Sequence, residues 1–233
     1  MNALIKKHTA LFLFAFTPTF ILEQADQIRN PAESFLMKVE VSSGEKGEDR
    51  SLFEVAIQGS NLGKMKTLIK TLAPARDLGR NLLMLDENMW AFVPNLNRAV
   101  RVSLNQKLTG QAANGDLSRM RWTGDYTPII EKETPTEWIL FLTANKKGLT
   151  YEKLRVWIEK KTYMPKKAEL LTLDSKILKN VTYEDLRQLA GRLRPGVMRI
   201  QDALRVSEVS LIRVKDMVVK QFPASLMNQN SLK

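Results

Sequence analysis

NLLMLDENMWAFVPNLNRAVRVS, residues 81–103, is the stretch whose reading decides the fold. Two apolar arms, residues 82–85 and 89–93, flank the polar Asp86-Glu87-Asn88, which is the pattern of a β-hairpin. Pro94 stops the second arm, since proline cannot donate to a sheet ladder, and residues 99–104 start a further strand. Side chains two apart along a strand point to the same side. Leu83 therefore goes with Leu85, Trp90 with Phe92, and Val100 with Val102. Such pairs read either as core or as the wall of an apolar cavity.

The same logic extends outward in both directions. Residues 35–42 (FLMKVEVS) set Met37, Val39 and Val41 against Lys38 and Glu40, and residues 52–58 (LFEVAIQ) place Phe53, Val55 and Ile57 on one face. Residues 65–72 continue the meander. Further strands are expected over 137–143, 153–159, 167–173, 177–186, 193–201 and 205–219. Turn signals recur at hairpin spacing, so the expected class is mainly β: a half-open antiparallel β-barrel of about eleven strands with helical lid or plug elements. A closed lipocalin-like barrel is the alternative.

Three helices are expected. Over residues 21–29, Ile21, Leu22, Ala25 and Ile28 form one stripe, and Asn30-Pro31 ends it. A short helix is expected around residues 115–120 with Asp116 as N-cap, and another near 223–232. The irregular segment 105–136 is longer than compact domains usually leave without structure, which marks it as functional. Trp157 is expected to cover the outer sheet face. Glu131-Lys132-Glu133 and Lys146-Lys147 read as solvated turns.

Composition removes several function classes. The chain has 233 residues, no cysteine and one histidine, His8. Disulfides, thiolate metal sites and a cysteine nucleophile are excluded, and so, outside the N-terminal segment, is histidine chemistry. No catalytic residue, metal or cofactor is expected, and nothing in the spacing of Asp116, Asp125 and Glu184 predicts that they meet. An export signal is expected over residues 1–20: Lys6 and Lys7 precede the apolar run 10–16. Residues 17–20 lack a small-x-small cleavage pattern. One domain, residues 21–233, follows. The formal charge of +11, or +9 without Lys6 and Lys7, is scattered in runs no longer than two. It suits an anionic membrane surface or an acidic partner, not nucleic acid.

Met89-Trp90-Ala91-Phe92-Val93-Pro94, followed by Arg98 and Arg101, resembles the signature of the bacterial outer-membrane lipoprotein-sorting family, the LolA-like carriers. Residues 154–165 (LRVWIEKKTYMP) resemble that family's strand-turn-proline element, and residues 167–171 and 177–186, turned at Asp174-Ser175-Lys176, resemble the hairpin after it. Residues 221–232 resemble its closing segment, so the likeness spans residues 21–232. Gly115-Asp116 stand where the family has a longer Gly-Ser-Asp-aromatic motif in its lid.

The resemblance implies a non-enzymatic carrier in the periplasm of a Gram-negative-type bacterium. Such a carrier holds the acyl chains of a lipoprotein or lipid and shuttles between an inner-membrane extraction or exporter complex and an outer-membrane acceptor. The alternative is a protein-binding accessory module of an exporter with no lipid cargo of its own. In the carrier reading Val39, Val41, Phe53, Val55, Ile57, Leu83, Leu85, Trp90, Phe92, Val100 and Val102 converge on one concave apolar surface. Leu140, Leu142, Val156 and Ile158 close it from the second half. Lys64, Lys66, Arg98 and Arg101 are the expected contacts to a headgroup or partner, or else solvated charge.

Overall fold

Alternation becomes strand along most of the chain. The computed structural model describes residues 16–44, 49–59 and 64–232; most of the expected export signal, with Lys6, Lys7 and His8, lies outside them. A helix, α1 (Pro18–Arg29), precedes β1 (Phe35–Ser43), β2 (Asp49–Gln58), β3 (Lys66–Ala73), β4 (Leu82–Leu85), β5 (Asn88–Val93) and β6 (Arg98–Val102). A small hairpin, β7 (Lys107–Thr109) and β8 (Ala112–Ala113), leads into α2 (Asn114–Ser118). Then come β9 (Tyr126–Glu133), β10 (Glu137–Ala144), β11 (Lys153–Glu159), β12 (Pro165–Leu171), β13 (Ile177–Leu189), β14 (Arg192–Asp202) and β15 (Val209–Val219).

Thirteen of these strands form one sheet in the order β6-β5-β4-β3-β2-β1-β15-β14-β13-β12-β11-β10-β9. The sheet is antiparallel and does not close: β6 and β9 are its two edges. The expected half-open barrel is the observed one, with more strands than the alternation suggested. β9 was hidden by Pro128 and by the charges of Glu131-Lys132-Glu133. Proline is tolerated because β9 is an edge strand. The charges belong to the end of that strand and not to a turn, as Arg155 grips Glu131 at 2.6 and 3.0 Å and Lys160 reaches Glu133 at 2.5 Å.

Cross-strand register decides which side chains share a face. Met37 lies opposite Val55, Val55 opposite Ile69, Ile69 opposite Leu82, Leu82 opposite Ala91, and Ala91 opposite Val100. In the second half Leu140 faces Val156, Val156 faces Ala168, Ala168 faces Val181, and Val181 faces Ile200. These rows line the concave side. Ile21, Leu22 and Ala25 of α1, with Leu117 and Trp122 of the following segment, fill it to make the main core. Trp157 is on the convex side, under the Lys167 ammonium at 3.9 Å.

The plug is pinned by polar contacts. α1 starts at Pro18, with the Thr17 hydroxyl accepting from Phe20 N at 3.2 Å, so the expected boundary at residue 20 falls inside the helix. Phe16 packs on Trp138 and Phe20 on Tyr163, with centroids 5.5 and 6.0 Å apart. At the other end of α1 the Arg194 guanidinium donates to the carbonyls of Gln27 and Ile28 at 2.7 and 2.9 Å, a cation at the negative end of the helix dipole. Asp26 is buried on the inner stripe and accepts from Trp122 N and Thr123 N at 2.8 and 2.7 Å. Its neighbour Arg29, 3.1 Å away, lies 3.7 Å over the Trp122 ring.

The helix expected near residues 223–232 is instead two 3₁₀ turns, Ala224–Leu226 and Gln229–Leu232. Asn228 accounts for the break: its side chain bonds Ser225 O and Asn230 N, which competes with helical pairing. These turns place Met227 and Leu232 over Ala56, Leu68, Leu83 and Phe92 on the convex face, a second apolar cluster.

Replacing the Asp26 carboxylate would leave two buried backbone N–H groups without acceptors, each costing about 1–3 kcal/mol. Asp26→Ala should therefore lose about 3 kcal/mol of unfolding free energy, read as a lower urea midpoint. A loss under about 1 kcal/mol would show that the plug is held by apolar packing alone.

Candidate functional site

The last residues of β1, β3, β5 and β14 and the first of β2, β4, β6 and β15 lie at one end of the sheet, and there the plug does not fill the concave side. Between the ends of β2 to β6 and the β7 strand is a cleft of about 500 Å³, within the range of small-molecule sites. Its floor is Phe53, Leu82, Ala91, Val102 and Leu108, all part of the main core or packed against it. Its rim is charged: Arg50, Arg76, Arg80 and Lys107 against Asp49 and Asp77. Asp77 pairs with Arg80 at 2.9 Å and Arg76 at 3.6 Å. Exposed pairs of this kind are worth about 0–1 kcal/mol, so they leave the guanidiniums free to exchange partners. The Asn81 side chain supports the rim from behind: its oxygen accepts from Thr71 N and its nitrogen donates to Leu232 O.

The expected cavity residues divide. Val39, Val41, Phe53, Val55, Ile57, Leu140, Leu142, Val156 and Ile158 share the concave core as expected, and register brings Val100 and Val102 to the same side. Most of them are not cavity wall. Val39, Val41, Val55, Ile57, Leu140, Val156 and Ile158 have no exposed surface because α1 and α2 cover them. Leu83, Leu85, Trp90 and Phe92 are a correction, since they lie on the convex face in the second cluster. Their strands are displaced by one residue from the expected facing, so Leu82, Met84, Met89 and Ala91 point inward. Phe53, Phe92 and Val102 alone of the expected set border the mouth cleft. Lys64, Arg98 and Arg101 are exposed and Lys66 is half-buried. Lys64 and Lys66 precede or start β3, whereas Arg98 and Arg101 lie on the edge strand β6, where Arg101 bonds the Asn88 side chain. None of the four lines the cleft.

Sequence reasoning missed the rim cations Arg50, Arg76, Arg80 and Lys107 and the floor residue Leu108. Their signal was weak, as they sit in three separate places, the start of β2, the β3–β4 connection and β7, that only the curl of the sheet brings together.

The segment from 103 to 126 forms the plug over the rest of the concave side. Gly110 and Gly115 mark its closest approaches. Gly110 has φ 55°, and a Cβ there would come within 2.4 Å of Ser43 Cβ; at Gly115 a Cβ would meet Thr150 Oγ1 at 1.7 Å. Asp116 is not the N-cap of α2 but lies inside it, its carboxylate accepting from Ala113 N at 2.8 Å and from the Tyr151 hydroxyl at 3.1 Å. Lys179 donates to that Tyr151 oxygen at 3.2 Å and to Gln111 O at 2.6 Å. Burial pushes the Asp116 carboxyl above its ordinary value and the Lys179 amine below its own. These groups hold backbone and one another, which is a structural role. Glu184 is far from them in function, paired with Arg199 on the surface at 3.3 Å. Among the described residues no three His, Asp or Glu side chains are placed to hold a metal ion.

A family model described as "Uncharacterized protein" matches residues 63–233. Among solved structures the chain is similar to a LolA superfamily protein of Nitrosomonas europaea, at 31% identity over 93% of this chain and 100% of that one, with a TM-score of 0.84. It is similar at 19% identity to a domain from Vibrio parahaemolyticus described as an outer membrane lipoprotein-sorting protein, over 92% of this chain and 97% of that one, TM-score 0.73. A DUF1329 family protein of Desulfovibrio piger matches at 17% identity over 93% and 100%, TM-score 0.77. These two likenesses concern the fold alone. No curated protein matches the chain in sequence.

The plug's end is locked by an ion pair. Arg119 donates to both oxygens of fully buried Asp125 at 2.6 and 2.7 Å, with Arg121 at 3.5 Å and Lys146 at 3.4 Å. Burial alone would raise the Asp125 carboxyl, but the Arg119 hydrogen bonds and the three cations outweigh it and hold the group below its ordinary 3.8. A carboxyl lowered in the folded state adds stability that is present above the ordinary value and lost as pH falls through the lowered one. Asp125→Asn should cost about 3 kcal/mol at neutral pH, since it leaves a buried guanidinium without its counter-charge. The gap from wild type in urea unfolding should narrow below pH 3.8. A gap independent of pH would mean that Asp125 acts through shape and not charge.

Proposed function

The chain belongs to the LolA superfamily, and from that membership and the mouth cleft we propose that it is a periplasmic carrier of acylated, water-insoluble cargo, either the acyl chains of a lipoprotein or a lipid. The observation that carries this reading is the apolar floor of Phe53, Leu82, Ala91, Val102 and Leu108, continuous with the concave core and framed by four cations. Burying a methylene there is worth about 0.8 kcal/mol, so a chain only partly inserted already gains several kcal/mol. The cationic rim suits a cargo with an anionic or strongly polar head. No proton transfer or bond making is required, and no enzymatic step is proposed. Longer chains need the plug to yield: the floor continues beneath α1 and α2, so withdrawal of the 103–126 segment lengthens the groove. Cargo is received from an inner-membrane extraction or exporter complex and handed to an outer-membrane acceptor.

The test is binding of a fluorescent fatty-acid analogue. Leu108 is half-buried on the short β7 strand, so Leu108→Glu puts a charge into the floor with little effect on the main core. It should weaken probe binding by at least about tenfold, roughly the cost of 1.4 kcal/mol or more. Leu186→Glu, on an exposed stretch of β13 away from the cleft, should bind as wild type does. Unchanged affinity in a folded Leu108→Glu variant would overturn the assignment. Protein from its native envelope that copurifies without acyl species, and takes up none, would leave the accessory-module reading.

A further inference from the structure

The convex face next to the mouth carries a second, separate arrangement that the carrier reading does not use. Across the sheet Arg50 lies opposite Ser42, Ser42 opposite Leu211, and Leu211 opposite Arg199, while Arg213 is opposite Glu40 one row along. Arg50, Arg199, Arg213 and Lys215 thus line one outward cleft of about 530 Å³. The carboxylates beside them are Glu40, 3.3 Å from Lys215 and 3.8 Å from Arg213, and Glu184 on Arg199. Among the described residues, Arg199, Arg213 and Lys215 are three cations against the two carboxylates Glu40 and Glu184, which leaves this side of the cleft positive.

Ser207 and Val209 form one side of that cleft, and the turn that leads into β15 carries two of the most exposed aliphatic side chains in the described protein. Leu204 is 91% exposed and Val206 64%. The turn is not a loose end. The Asp202 carboxylate accepts from Leu204 N and Arg205 N at 3.0 and 2.9 Å, and Glu208 N donates to Arg205 O at 2.8 Å. Ala203 N donates to Leu178 O at the start of β13, and the turn that precedes β13 presents Leu173 at 70% exposure. Arg50 lines both this cleft and the mouth, so the two open at the same end of the molecule.

We propose that this rim docks on an anionic phospholipid bilayer, with Leu204, Val206 and Leu173 entering the headgroup boundary and Arg199, Arg213 and Lys215 meeting lipid phosphates. Rigidly held aliphatic tips are what an apolar boundary layer rewards. Guanidiniums match phosphate oxygens two at a time, and each cation near an anionic leaflet strengthens binding about fivefold. An acidic protein would use the arginines but has no need of three separate solvent-facing aliphatic tips. Docking this way sets the mouth cleft against the membrane surface. The inference stands on the convex patch and does not depend on what the mouth holds.

Vesicle flotation of the full chain tests it, with phosphatidylcholine vesicles and with the same lipid containing about 30% phosphatidylglycerol. Wild type should float with the anionic vesicles and far less with the neutral ones, and added salt should release it. Leu204→Glu and Arg199→Gln change exposed side chains, so the fold, checked by the urea midpoint, should be kept, and each should weaken flotation about fivefold. Any contribution of the N-terminal segment is common to all variants. Variants that float like wild type would overturn the proposal, as would equal binding to both vesicle types or binding to neither. Probe uptake measured in parallel separates the two readings: Leu204→Glu should take up the fatty-acid analogue normally, and loss of uptake in Leu108→Glu should leave flotation intact.

Discussion

A thirteen-stranded antiparallel sheet that curls without closing has an apolar inner face which must be covered, and the Asp26 carboxylate fixes the cover in place. It sits on α1, yet its acceptor capacity is spent on the backbone of residues 122 and 123, ninety-six and ninety-seven positions along the chain. Arg29 bridges the same carboxylate and the Trp122 ring. Burial raises the Asp26 carboxyl, opposed by Arg29 and those two N–H donors. One side chain therefore couples the first helix to the plug, and the plug to the inner face of every strand it covers.

From that constraint follows the division of the concave side into core and site. Where α1 and the 103–126 segment reach, Val39, Val55, Leu140 and Val156 are fully buried and behave as an ordinary close-packed interior. Where the segment turns away, at the β7–β8 hairpin, the same apolar rows emerge as the floor of the mouth. The plug is tied to the rest of the fold at several points: Arg119 to the Asp86 carbonyl, Asp125 to Lys146, Asp116 to Tyr151, and Gln111 O to Lys179. Polar anchors at the plug and an apolar floor below it are a combination that holds a cover in register while letting it separate along a plane. A uniformly apolar plug would slide.

The two faces of the first half of the sheet differ from those of the second. β10 and β11 carry apolar residues inward and Phe141, Arg155 and Trp157 outward, with cations over the rings. β4 and β5 are apolar on both sides because the C-terminal turns, with Met227 and Leu232, cover their convex face as well. Strands buried on both sides lose the alternation that marks strands with one wet face. The far turns, in contrast, expose Leu204, Val206 and Leu173 with nothing in the described chain over them.

The sequence by itself determined the class, the meander and most strand positions, because period-two patterning is a local consequence of backbone geometry. It also determined the inward set wherever polar residues alternate with apolar ones: Met37, Val39 and Val41 against Lys38 and Glu40, or Val156 and Ile158 against Arg155. It could not determine the facing of β4, where Leu82, Leu83, Met84 and Leu85 are all apolar, nor of Met89 to Val93. There either register satisfies the pattern, and the C-terminal segment, some 130 residues away, is what makes Leu83, Trp90 and Phe92 convex. Tertiary structure alone also decided that the expected cavity wall is mostly core, since only packing shows that α1 fills it. The rim of Arg50, Arg76, Arg80 and Lys107 was likewise decided by the curl of the sheet: charges from β2, the β3–β4 connection and β7 become one site when an open barrel brings them to a common mouth.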